Sequence, residues 1–251
     1  MIYPIALCVI AGLSTGLVGL AVVLAGGADD GRISFSQGFA AGVMVTVSLA
    51  DLMVESFEKY CVYMPEFTAL KAVLSLFFTG WIMGSAIEGI ALPREKYKGD
   101  SVESVRRMAA VTTLVMVLHN LPEGVLTMFT ATRDTAMGLR VALAVALHNL
   151  PEGMAIAAPV LYVTGSRWRA FLRSLLAGLA EPAGGIIAYL LLKDLLSAAF
   201  LNGVMPVVAG IMCQAAICEL LPDAIKLSNI KHTIYGTIAG ILMMSIGLFL
   251  F

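Results

Sequence analysis

"LHNLPEGVLTMFTA", residues 118–131, and "LHNLPEGMAIAAPV", residues 147–160, decide how this chain is read. Each places a histidine, an asparagine and a glutamate inside an otherwise apolar stretch, with a proline among them. On a helix, His119 and Glu123 are four residues apart and Asn120 and Glu123 three, so the three side chains converge on one face. His148, Asn149 and Glu152 repeat the arrangement. Pro122 has no amide N–H for the carbonyl of Leu118, nor Pro151 for that of Leu147. Each proline is therefore expected to bend its helix and free a carbonyl beside the polar cluster, and Gly124 and Gly153 permit a close approach.

The surroundings of the two motifs are unusually apolar. Of 251 residues, 59% are hydrophobic and 13% charged, with a mean hydropathy of +0.92, whereas soluble domains are about half apolar and a quarter charged. The apolar residues fall into eight blocks, at 3–25, 35–57, 69–92, 109–130, 139–163, 171–192, 203–221 and 233–251. Each is near the length of about 20 residues that crosses a bilayer as a helix. In lipid only helices and closed barrels satisfy their own backbones. The chain therefore reads as an all-α polytopic membrane protein, one transmembrane transport domain over 1–251. The first block lacks a basic n-region and is longer than a signal-peptide core, so it reads as a retained helix. A net charge of −1 gives no field to recruit nucleic acid. Cys8, Cys61, Cys213 and Cys218 form no CxxC pair; they read as packing residues, with metal contact by Cys213 or Cys218 the alternative.

Basic residues set the orientation. The loops after segments 1, 3, 5 and 7, with their flanks, hold Arg32, Arg94, Lys96, Lys98, Arg106, Arg107, Arg167, Arg169, Arg173, Lys226 and Lys231. The other side holds Lys59, Lys71, Arg133, Arg140 and Lys193. The positive-inside rule puts the richer side in the cytoplasm and both termini outside, in the cell (inner) membrane. By this reading every basic residue lies in a loop or at a segment end, while acids do not. Asp51 and Glu55 fall near the outer end of segment 2. Glu123, Glu152 and Glu181 fall near the midplane, and Glu88, Glu219 and Asp223 near the inner ends of segments 3 and 7. Such acids must be protonated, lie in a wet cavity or hold cations, and they mark ion pathways.

Two copies of one motif on antiparallel neighbours imply a pseudo-two-fold axis in the membrane plane. A second echo agrees: "ADLMVES" carries Asp51 and Glu55 on segment 2, and "CELLPDA" carries Glu219 and Asp223 on segment 7. The expected fold is an inverted repeat of helices 1–3 and 6–8 around a symmetric pair, helices 4 and 5. Imidazole with carboxylate and amide oxygen suits a transition metal better than magnesium, which prefers oxygen alone. The rival is an intramembrane metallohydrolase using the same ligands. No HExxH motif occurs, however, and a hydrolase has no use for acids spread from one face to the other.

These motifs resemble the ZIP (Zrt/Irt-like) family of divalent metal transporters, most closely its short prokaryotic branch. The doubled "HNLPEG" carries the resemblance, with "GFAAGVM" on segment 2, "GLAEP" on segment 6 and "CELLPDA" on segment 7. It covers essentially the whole chain. The resemblance implies a transporter rather than an enzyme, with zinc first among cargoes that include iron, manganese, cobalt and cadmium. It implies a binuclear centre of His119, Asn120, Glu123, His148, Asn149 and Glu152, with Glu181 and Met44 as further contacts. It also implies uptake into the cytoplasm, a homodimer, and an elevator-like movement of helices 1, 4, 5 and 6. The segment 3–4 loop lacks the histidine-rich tract of many eukaryotic members, and "DLMVES" lacks the proline often found there.

Overall fold

The computed structural model describes residues 2–25, 29–91, 101–192 and 198–250. Among them are eight helices long and apolar enough to span a membrane. They are α1 (Ile2–Leu24), α2 (Asp30–Cys61), α3 (Glu66–Ala91), α4 (Val102–Arg133), α5 (Thr135–Thr164), α6 (Arg167–Leu191), α7 (Phe200–Leu227) and α8 (Ile230–Leu250). No strand occurs among the described residues. Several helices are longer than the apolar blocks because polar residues cap and extend them. The Asp29 carboxylate accepts from the Arg32 amide at the start of α2, at 2.8 Å.

Two tight turns fold α4, α5 and α6 back on one another. The Asp134 carboxylate accepts from the Ala136 and Met137 amides at 2.9 and 3.0 Å, leaving a single residue between α4 and α5. Gly165, at φ 61°, ends α5 in the left-handed conformation that glycine adopts without strain. The Ser166 hydroxyl then caps α6.

Helix packing carries the inverted repeat. The helix α2 packs on α8 as α7 packs on α3, and α1 packs on α5 as α6 packs on α4. Likewise α2 meets α5 as α7 meets α4. Exchanging α1 with α6, α2 with α7, α3 with α8 and α4 with α5 leaves this scheme unchanged. The helices α3 and α8 lie outermost, with Phe78, Ile82, Leu242 and Ile246 exposed where lipid would cover them. The main core is built of small and medium apolar side chains from α2, α4, α5 and α7, among them Met44, Met116, Ile156 and Met212.

Backbone irregularity is not where the prolines suggested. Both α4 and α5 run on as helix through Pro122 and Pro151. The wide π-helical turns are in α2 at Val47–Leu52 and in α7 at Ala216–Leu220. These sites exchange under the pseudo-symmetry, and each carries the first acid of its pair, Asp51 or Glu219. Single π-turns recur at functional positions because the extra residue re-aims side chains. A proline's missing donor costs one bond, which neighbouring helices can tolerate. The helix α6 does break, at Leu179, two residues before Glu181 and three before Pro182.

Candidate metal centre

Each HNLPEG motif is completed from the other helix. His119 Nε2 on α4 lies 2.8 Å from Glu152 Oε1 on α5. His148 Nε2 on α5 lies 3.2 Å from Glu123 Oε1 on α4. The two pairs therefore cross the α4–α5 interface, and all four residues are buried. The asparagines point outward from this pair of helices. Asn120 Nδ2 donates to the Ala177 carbonyl of α6 at 3.0 Å, and Asn149 Nδ2 to the Ala11 carbonyl of α1 at 3.1 Å. Asn149 Nδ2 also donates to Glu181 Oε2 at 3.0 Å.

Glycines let the four helices come this close. A Cβ on Gly124 would stand 1.7 Å from the Glu181 carbonyl oxygen, and one on Gly153 would stand 2.0 Å from that of Thr15. Glu181 follows Ala177 by one turn just as Thr15 follows Ala11. The pseudo-axis thus relates Glu181 to Thr15, and the carboxylate count is asymmetric: three acids rather than four.

Five acceptor oxygens here are buried without a hydrogen-bond partner: Asn120 Oδ1, Glu123 Oε2, Asn149 Oδ1, Glu152 Oε2 and Glu181 Oε1. A buried unsatisfied polar group costs about 1–3 kcal/mol, and a charged one more. Oxygens cannot satisfy one another without a proton or a cation between them. Oxygen acceptors beside two imidazoles are the types of donor that transition metals accept. Among the described residues, no group of three or more His, Cys, Asp or Glu side chains is arranged to hold a metal ion as they stand; His148 Nε2 is itself buried without a hydrogen-bond partner.

The other candidates separate into two ends. Asp51 and Glu55 line a cavity of about 280 Å³ that reaches Glu123 and His148, with Arg140 and Met137 also in its lining. Both acids are half-buried, and Lys59 Nζ lies 2.5 Å from Glu55. Met44 is wholly buried on α2, in the main core. Glu88, Glu219 and Asp223 gather at the opposite end, away from the crossed pairs.

There the structure corrects the expectation that the acids within the spans have only protons, water or cations to balance them. Arg107 lies inside α4, buried, and its guanidinium pairs with Glu88, with Glu219 at 2.7 Å and with Asp223 at 3.4 Å. The basic residues Arg94, Lys96, Lys98 and Lys193 lie outside the described residues.

Two further buried polar residues escaped the sequence reading. Gln37 on α2 donates to the Ala155 carbonyl of α5 at 2.7 Å, and the Thr15 hydroxyl is buried beside the centre without a partner. Gln37 had a signal, a long amide within "SFSQGFAAG". A threonine in an apolar helix has none, because it satisfies itself on its own backbone so often.

Comparison with known proteins finds relatives along the whole chain. The sequence profile described as ZIP zinc transporter matches residues 88–248. The chain is similar to the zinc transporter ZupT of Chlorobium chlorochromatii, at 35% identity over 100% of this chain and 98% of that one. It is 36% identical to the zinc transporter ZupT of Corynebacterium glutamicum, over the full length of both. It is 35% identical to that of Stenotrophomonas maltophilia strain K279a, over 98% and 95%.

Proposed function

The chain belongs to the ZIP zinc transporter family, and from that premise we propose that it carries zinc into the cytoplasm through the crossed His/Glu pairs. The observation that supports this reading most is the group of buried, unpartnered acceptors on α4, α5 and α6. A cation entering between them would take up Glu123, Glu152, His119 and His148 as ligands, with Asn120, Asn149 and Glu181 completing its shell. Two glutamates shared across the interface suit a pair of metal ions. Met44 would add a soft contact from α2. Other divalent transition metals with overlapping preferences, iron, manganese, cobalt and cadmium, are secondary cargoes.

Zinc would approach through the cavity at Asp51 and Glu55, lose water against the histidines, and leave past Glu88, Glu219 and Asp223. By the positive-inside rule the Arg107 end would face the cytoplasm and both termini the outside.

The test is uptake of radioactive zinc into proteoliposomes by the wild type and by a His119→Ala/His148→Ala variant, at matched amounts of folded protein. Uptake by the wild type alone supports the reading. Equal uptake by both moves the centre elsewhere.

A further inference from the structure

We propose that Arg107 is the gate at the far end of the path, a tethered cation seated among the carboxylates that departing cargo must pass. This deepens the transport reading above and rests on it for the identity of the cargo. The Arg107 guanidinium joins α4 to α3 through Glu88, and α4 to α7 through Glu219 and Asp223. All four side chains are buried. Gln214 Nε2 also donates to Glu88, at 3.3 Å, and Lys226 Nζ approaches Asp223 from the exposed rim at 4.0 Å. The guanidinium is a planar, permanently charged fork that can bond several carboxylate oxygens at once, so one side chain bridges three helices.

The pseudo-symmetry shows what this end would be without it. Asp51 and Glu55 occupy the places on α2 that Glu219 and Asp223 occupy on α7, one pair beside each π-turn. The position on α5 that corresponds to Arg107, twelve residues before the motif histidine, is Ala136. At that end the acids are half-exposed around an open cavity, and Arg140 lies on its wall. With an arginine instead of an alanine, the related acids are drawn together and dry. The difference between an open end and a closed end thus tracks one side chain.

Cargo and arginine compete for the same oxygens. A divalent cation arriving at Glu219 and Asp223 with the guanidinium in place would face a like charge at contact distance. Passage therefore requires that α4 draw Arg107 off α3 and α7, and its return displaces the cation outward and reseals the end. Arg107 acts here as a positioning residue, not as a ligand.

The test uses the full chain in proteoliposomes, with its four cysteines replaced by serine and Ala216→Cys introduced. Ala216 is buried one turn before Glu219. A charged, membrane-impermeant thiol reagent is supplied from the Arg107 side, with and without zinc at the Asp51 side. The parent is expected to label slowly without zinc and several-fold faster with it. Arg107→Gln is expected to label roughly tenfold faster than the parent and to ignore zinc, because thiol reactivity follows access. Arg107→Lys keeps the buried positive charge, so it guards against simple misfolding. Its single ammonium cannot bridge three carboxylates, and its rate should fall between. A zinc-insensitive parent that still transports zinc, or an Arg107→Lys rate equal to the parent's, overturns the proposal. If the parent carries no zinc at all while the three rates keep the expected order, the cargo assignment fails and the gate stands.

Discussion

His119 is paired with Glu152 of the neighbouring helix, at 2.8 Å, and not with Glu123, one turn away on its own. The antiparallel packing of α4 and α5 brings each motif's histidine opposite the other motif's glutamate. Neither motif is a site by itself; the unit is the pair. Breaking a buried pair leaves its partner uncompensated, at a cost of about 3–5 kcal/mol. Glu152→Ala or Glu123→Ala should abolish zinc uptake and also lower the unfolding temperature in detergent. Because metal binds the folded state, saturating zinc should raise the wild-type unfolding temperature. The double variant His119→Ala/His148→Ala should lose most of that rise. A rise of equal size in both would place the metal elsewhere.

The close approach of α6 to α4 at Gly124 leaves no room for a methyl group. Backbone lies 1.7 Å from the place its Cβ would take, so relief requires the helices to part. Gly124→Ala should therefore yield little monodisperse protein, or protein without uptake. Gly153→Ala, against Thr15, should behave alike. Gly89, with nothing within 4 Å of a Cβ, should accept alanine with a gain of about 0.5–1 kcal/mol in its helix. Equal yields for Gly124→Ala and Gly89→Ala would show that the α4–α6 contact is looser than drawn.

Placed at the mouth of the cavity, Asp51 and Glu55 are expected to concentrate cations there rather than hold them. Steering of this kind acts on encounter and fades with salt, whose screening length is about 8 Å at physiological ionic strength. Asp51→Asn/Glu55→Gln should raise KM for zinc severalfold with kcat nearly kept, and the gap should narrow at high salt. Lys59→Ala, which removes the cation paired with Glu55, should move KM the other way. A collapse of kcat in the double variant would instead make the acids part of the transport step.

Met44 can be separated from its packing role by shape. Met44→Leu conserves volume and should cost under about 1.5 kcal/mol of stability. If its sulfur touches the cargo, cadmium uptake should fall more than manganese uptake, because thioether favours the softer ion. Parallel losses for both metals would mark the change as packing alone.

Much of this was legible in the residues. Apolar blocks of spanning length gave eight helices because a bilayer leaves the backbone few alternatives. The repeated HNLPEG and the echo between Asp51/Glu55 and Glu219/Asp223 gave the pseudo-axis, since equal spacing on opposed helices implies equal depth. That His119, Glu123, His148, Glu152 and Glu181 would be buried among the helices followed from polar side chains that lipid would not tolerate unpartnered. The prolines misled: they pointed to irregular backbone at Pro122 and Pro151, while the wide turns lie in α2 and α7 around Asp51 and Glu219, where nothing in the residue types announces a change of helical pitch.

The sequence by itself determined the solvent, the number of crossings and which polar side chains the helices must shelter, because those depend on composition and spacing along one helix. Only the tertiary structure decided that the histidines pair across helices, that Thr15 stands where symmetry would place a second Glu181, and that Arg107 lies in the protein. Counted along the chain, Arg106 and Arg107 are two adjacent basic residues at a helix start. On the helix they point about 100° apart, so Arg106 faces outward while Arg107 meets Glu88, Glu219 and Asp223. Those three acids are brought to one point by α3 and α7, and no reading of α4 alone contains that meeting.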